Sequence, residues 1–178
     1  MDRDLLCQQL SQLPLLQYEF FSPQELLFSD AVRHICREEC SMYGTNWACP
    51  PAVGTVEQCK ARCLAFEQAL LITTITEIPN AFDMDAALAT RPAHEAITHQ
   101  VEGLLKAQGC STMALSTEAC SLCRHCTYPD APCRHPDKMY PCVESHGIVV
   151  TDLAERHGIE FLAGSNLVTW FSIIFFTP

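Results

Sequence analysis

The sequence has little of what several ligand classes require. Lys and Arg number 11 against 21 Asp and Glu, a net charge of −10. Phosphate backbones are held mainly by cations, so this balance argues against a nucleic-acid partner. Glycines are few, seven in all, and none forms a Gly-x-Gly-x-x-Gly fingerprint or a Walker loop, which leaves nucleotide-dependent chemistry without support. The opening residues, Met1-Asp2-Arg3-Asp4-Leu5-Leu6-Cys7, lack the basic start and unbroken apolar run of an export signal. The longest apolar stretches, Leu70 to Ile75 and Val168 to Phe176, are interrupted by Thr and Ser and fall short of the roughly 20 residues a membrane span needs. A cytoplasmic protein with no membrane and no nucleic-acid partner is expected. With 48% hydrophobic and 18% charged residues, the chain is too apolar for intrinsic disorder.

What the sequence does have is cysteine, twelve in 178 residues. That is far above ordinary usage, yet below the roughly 8–10% of short disulfide scaffolds. In a reducing compartment such thiols stay free and are better explained by metal binding than by cross-linking. A disulfide-stapled exported protein is the alternative, and the missing export signal weighs against it. No repeat, charge block or linker divides the chain, so residues 1–178 read as a single metal-binding domain with two cysteine loops, about 36–63 and about 120–142.

The pattern between the loops predicts strands and helices in alternation. Leu15 to Phe21 reads as a strand stopped by Ser22-Pro23. Thr55 with Gln58 three residues on has the form of a capping box and predicts a helix to about Gln68. Ala69 to Thr76, rich in β-branched residues, predicts a buried strand. A second helix is expected from Pro92, a residue suited to the first helical position, to Gly109, with Ile97, Val101, Leu104 and Leu105 on one face. Thr112 to Thr117 predicts a strand, Val149 to His157 a helix closed by Gly158, and Leu167 to Phe176 a final strand. The fold class that follows is α+β, helices packed on a small mixed β-sheet.

The second group is Cys120-x2-Cys123-x2-Cys126, with Cys133 after six more residues. Thiolates at this spacing can wrap one side of an inorganic core, as in the bacterial ferredoxin run, although the fourth cysteine comes later here and is followed by Arg134-His135-Pro136. The competing reading is structural zinc, which also takes four thiolates but draws them from two separated pairs. His125, His135, Arg124 and Arg134 are read as cations or hydrogen-bond donors around the thiolates rather than as ligands.

The first group is Cys36-x3-Cys40-x8-Cys49-Pro50-Pro51, then Cys59-x3-Cys63. Pro50 removes a backbone donor and biases Cys49 towards extended backbone. Cys36, Cys40 and Cys49 are the assigned ligands. Cys59 and Cys63 share a helical stripe with Phe66 and Leu70, which makes them small core residues; the alternative takes Cys59 as a fourth thiolate, favoured by its first-turn position. A third option leaves one iron open to an external ligand. Tyr43 and Trp47 are read as aromatics shielding this first site. Glu144 and His146 can face the same way on a strand but not on a helix, so an acid–base pairing depends on local structure.

Cys36, Cys40-Ser41-Met42-Tyr43-Gly44, Trp47-Ala48-Cys49-Pro50-Pro51 and Gly54, with the second cysteine group, Cys133-Arg134-His135-Pro136 and Glu144-x2-Gly147-Ile148, together resemble a prokaryotic family of unknown function whose members are described as predicted metal-binding proteins. The resemblance runs from about Val32 to the C-terminus and implies an intracellular metal-binding protein, without implying a reaction. Cys142 stands where the family pattern usually has a serine, and Cys59 and Cys63 are not general family features. These three are therefore weaker candidates than the seven motif cysteines.

The expected metal ligands are Cys36, Cys40, Cys49, Cys120, Cys123, Cys126 and Cys133. One or two [4Fe–4S] clusters are the expected cofactors, with zinc as the alternative. The function read from them is electron transfer to a redox partner protein, oriented by the acidic excess. The other readings are a zinc-held interaction module and an enzyme with an open iron.

Overall fold

The structure is a computed structural model and describes residues 1–160 and 164–178. Asp2 caps α1 (Arg3–Leu10), its side chain accepting from the Leu5 N–H. Strand β1 (Gln17–Phe21) follows, and Ser22-Pro23 ends it in a 3-10 turn, Pro23–Glu25. Helix α2 (Asp30–Glu39) starts at Ser29, whose Oγ accepts from the Ala31 N–H at 3.1 Å. The capping box opens α3 (Val56–Leu64): Gln58 N–H donates to Thr55 Oγ1 at 3.2 Å and Thr55 N–H to Gln58 Oε1 at 2.9 Å. This helix stops short of Gln68, which instead begins β2 (Gln68–Glu77), so Leu70 belongs to the sheet.

Helix α4 (Met84–Ala107) begins well before the residue expected to open it and carries Pro92 in its interior. An interior proline costs about 3 kcal/mol. The Asp83 cap on Ala86 N–H and the alanine-rich first turns provide a helical start upstream that the proline alone does not suggest. Strand β3 (Ser111–Leu115), a 3-10 turn at Glu144–His146, helix α5 (Val150–His157) and strand β4 (Leu167–Thr177) complete the described elements. Gly158 closes α5 at φ 62°, the left-handed cap its position implied.

The architecture is α+β. Its sheet has the order β1-β2-β4-β3. All three pairings between these strands are antiparallel, not mixed as expected. The reason is that β2 and β3 run the same way but β4 inserts between them. One parallel bridge, Ser116 to Cys142, lies outside the strands.

Side chains alternate across the sheet. Phe171, Ile173 and Phe175 face a core completed by Leu71, Leu115, Val143, Ile148 and Leu153. Ile174 and Phe176 face the opposite core with Leu70, Ile72, Leu6, Leu10, Val101 and Leu105 from α1 and α4. Because both faces are covered, β2 and β4 read as nearly continuous apolar runs. No helix among the described residues is long and apolar enough to cross a membrane.

Ser172 interrupts the β4 run for a polar reason. Its Oγ lies 2.8 Å from His94 Nε2 and 2.9 Å from Thr98 Oγ1, and donates to Ser116 Oγ at 3.2 Å, while His94 Nδ1 meets Thr74 Oγ1 at 2.9 Å. Burial, reinforced by the nearby Arg91 cation, lowers the His94 pKa from 6.5 to about 4. The folded protein thus holds this imidazole neutral where the unfolded chain would protonate it. Its stabilising contribution is complete above pH 6.5 and disappears as pH falls towards 4, a loss of about 3 kcal/mol. Urea midpoints measured across that window are expected to fall, and to fall less in His94→Gln. Equal falls in both proteins would place the acid sensitivity elsewhere.

Candidate metal centre

The long segment between β3 and α5 is closed at its base and pinned along its length. Ser116 N–H donates to Pro141 O, and Val143 N–H to Ser116 O, each at 2.9 Å. Arg91, buried on α4, donates to Ala119 O and to Ser121 Oγ and pairs with Glu95. At the far end the Tyr140 hydroxyl donates to Glu102 Oε2 at 2.7 Å, and Glu102 also accepts from Thr112 Oγ1 at 2.7 Å. Burial and the Glu102 carboxylate push the Tyr140 phenol pKa upward, so the phenol keeps its proton.

This closed segment brings Cys120, Cys123, Cys126 and Cys133 around one cavity, together with Arg134, His135 and Met139. All four cysteines are half-buried. They enclose about 20 Å³, about the space of a single water. His135 contributes its backbone N–H, which donates to Cys133 Sγ at 3.4 Å. The His125 carbonyl accepts from Arg134 Nη1 at 2.9 Å. Leu122 and Thr127 complete the wall together with Asn46 and Trp47 from the first cysteine loop. Trp47 Nε1 donates to Ala131 O at 3.0 Å, and its ring meets Tyr128 edge-on at 4.9 Å. Trp47 therefore shields the second cysteine group, not the first as expected.

A second cavity of about 230 Å³ is lined by Cys36, Cys40, Cys49, Tyr43 and Pro50, with Glu118, Ala119, Cys142 and Glu144 from the other loop. Helix α2 ends in Glu39, leaving Cys40 exposed as its cap, while Cys49 and Cys142 are buried. Burial pushes the Cys49 thiol up to about 11, against a lowering hydrogen bond from Asn46, and raises Cys36 and Cys120 as well. Thiols held protonated in this way must lose a proton to bind metal, and a cation in the cavity supplies the compensation.

The two cavities adjoin. Trp47 faces one and Cys49 the other, and Ala119 and Cys120 divide in the same way. Cys49 lies near enough to Cys120 for charge on Cys120 to oppose ionisation of Cys49.

Cys59 and Cys63 line neither cavity and are fully buried. The Cys59 sulfur is held among Val53 O, Arg62 Nη2 and Arg33 Nη2, at 3.4, 3.2 and 3.5 Å. Cys63 packs in the core beneath β2, where burial raises its thiol to about 12. Glu144 and His146 share a 3-10 turn, and no hydrogen bond or ion pair joins them among the described residues. His146 is buried against Ser145 Oγ with its pKa lowered to about 3, whereas Glu144 faces the larger cavity.

Sequence reasoning ranked Cys142 low and did not find Glu118, Asn46, Arg33 or Arg91. The first two line the larger cavity and the other three position its neighbours. Glu118 could not be anticipated: it sits at φ 58°, a left-handed conformation unusual for a non-glycine residue.

Four-thiol donor sets are soft and suit iron–sulfur clusters and zinc alike. No three His, Cys, Asp or Glu side chains among the described residues stand close enough to hold a single ion. The donor chemistry fits a metal centre in each cavity, and two sulfurs already accept backbone N–H groups, Cys133 from His135 at 3.4 Å and Cys142 from Ser145 at 3.3 Å.

Fold and site define a cysteine-rich α+β protein whose thiols gather in pairs of loops. The family model described as predicted metal-binding protein (DUF2284) matches residues 19–176, and the chain belongs to that family. No curated protein and no solved structure matches it.

Proposed function

We propose that the protein binds [4Fe–4S] clusters at these cavities and serves as an electron carrier or redox accessory protein in the cytoplasm. One observation carries the reading: the seven motif cysteines divide between two adjoining cavities, three on the larger and four on the smaller. A zinc ion with four thiolates draws its sulfurs tightly around one point. The Cys120-x2-Cys123-x2-Cys126 run on the smaller cavity is closer to the ferredoxin spacing than to the two separated pairs of a zinc site, which favours the cluster.

When bound, such a cluster accepts and releases single electrons at a potential set by hydrogen bonds to sulfur and by solvent access. The chain supplies both controls through the Ser145 and His135 N–H groups and through Tyr43 and Trp47 at the cavity walls. Arg134 lines the smaller cavity, and Arg124, Lys138, Asp130 and Asp137 are exposed on the same segment, in a chain of net charge −10. A redox partner with a basic face would be oriented by the acidic excess of the chain.

Iron, zinc and sulfide analysis of protein purified without oxygen tests the proposal. Iron with matching sulfide and a broad absorption near 400 nm, as clusters give, is the expected result. Colourless protein with stoichiometric zinc would overturn it.

A further inference from the structure

The three motif thiols on the larger cavity leave a four-iron core one protein ligand short. We infer that Cys142 is the missing fourth thiolate, so that this chain closes its first centre with a residue from the second cysteine loop. The inference rests on the reading that the larger cavity holds a metal centre.

Four observations support the assignment. Cys142 lines the same cavity as Cys36, Cys40 and Cys49. It is 9% exposed, buried as free cysteines commonly are, but on a cavity wall that the buried Cys59 and Cys63 do not line. Its sulfur already accepts one backbone hydrogen bond, from the Ser145 N–H at 3.3 Å, although burial and the neighbouring Glu144 oppose ionisation until a cation is bound. Finally, one residue couples the two segments that would share the metal. Arg33, on the helix that carries Cys36, donates through Nη2 to Ser145 O at 2.5 Å and through Nη1 to Gly54 O at 2.7 Å. The guanidinium thereby ties α2 to the turn after Cys142 and to the loop after Cys49.

The other cysteines do not compete. Cys59 and Cys63 are absent from the cavity wall, and Cys7 and Cys110 lie outside both cavities. Glu118 and Glu144 are the rival carboxylate donors on that wall, harder ligands less suited to iron–sulfur chemistry. A closed four-thiolate set has a functional consequence. It leaves no iron open to a substrate, which favours electron transfer over catalysis at this centre.

The experiment compares parent, Cys142→Ala and Glu144→Gln proteins purified without oxygen, by metal count and by electron paramagnetic resonance of the reduced proteins with and without cyanide. Cyanide is expected to leave the parent spectrum unchanged. In Cys142→Ala the first centre is expected either to be lost, lowering metal content by about half, or to acquire a cyanide-sensitive spectrum. Glu144→Gln should keep the parent's metal count and cyanide insensitivity. A cyanide-sensitive parent, or a Cys142→Ala protein identical to it, overturns the assignment.

Should Cys142→Ala lose both centres, the near-isosteric Cys142→Ser decides: an altered first-centre spectrum supports ligation, and an unaltered one overturns it. If the parent carries zinc instead of iron, the electron-transfer reading fails while the ligand assignment is still judged, by loss of one zinc in Cys142→Ala. A parent with no bound metal refutes both.

Discussion

Cys123→Ser protein is expected to lose the centre of the smaller cavity and keep the other, so that its metal content falls to about half that of the parent. The argument is local. Cys123 is half-buried on a segment held from both ends, by Arg91 at Ala119 and by Tyr140 at Glu102, and neither anchor involves the thiol. The substitution therefore removes a donor without loosening the segment. Metal analysis of the purified variant, with circular dichroism as the check on folding, measures the outcome, and an unchanged metal count would refute the assignment of Cys123.

The largest loss of stability is expected at the centre of the sheet. Phe175 is fully buried, paired across β4 with Ala69 on one side and Met113 on the other, with the Phe66 ring 6.1 Å away. Phe175→Ala removes a ring from a layer whose neighbours are fixed by two strand ladders, so the void cannot readily collapse. A loss of about 3–5 kcal/mol is expected, read as a lowered urea midpoint at fixed metal content. A loss below about 1 kcal/mol would mean that the layer repacks.

Much of the fold was legible because local chemistry determined it. The Thr55–Gln58 box fixed the start of α3, Gly158 the end of α5, and the apolar runs identified β2 and β4. Elements decided by context were harder. Helix α2 carries an apolar stripe, Ala31, Val32, Ile35 and Cys36, but none of its residues is fully buried and Ile35 is 54% exposed, so core packing does little to fix it. Pro92 marks a helix start in the usual case, but the capped upstream turns override it. Strand direction depended on β4 coming between β2 and β3, which no local pattern encodes.

The site divided in the same way. Short spacing identified Cys120, Cys123 and Cys126 as a set, because consecutive turns of one segment must lie close together. Cys142 stands far from Cys36 in sequence, and long-range contacts, among them the Ser116 bridge, the Phe28–Ile148 bridge, the Ser29 N–H to Gly147 O bond and the Arg33 contacts, bring their segments to one cavity. Long-range closure of this kind leaves no periodic signature.

Two short stretches of chain, Trp47 to Cys49 and Ala119 to Cys120, contribute residues to both cavities and so run between them. With clusters in both cavities, as proposed, charge would cross that partition without any carrier diffusing through it. Cys49 and Cys142 are buried while Cys40 on the same cavity is exposed, so a centre there would meet the surroundings on its Cys40 side.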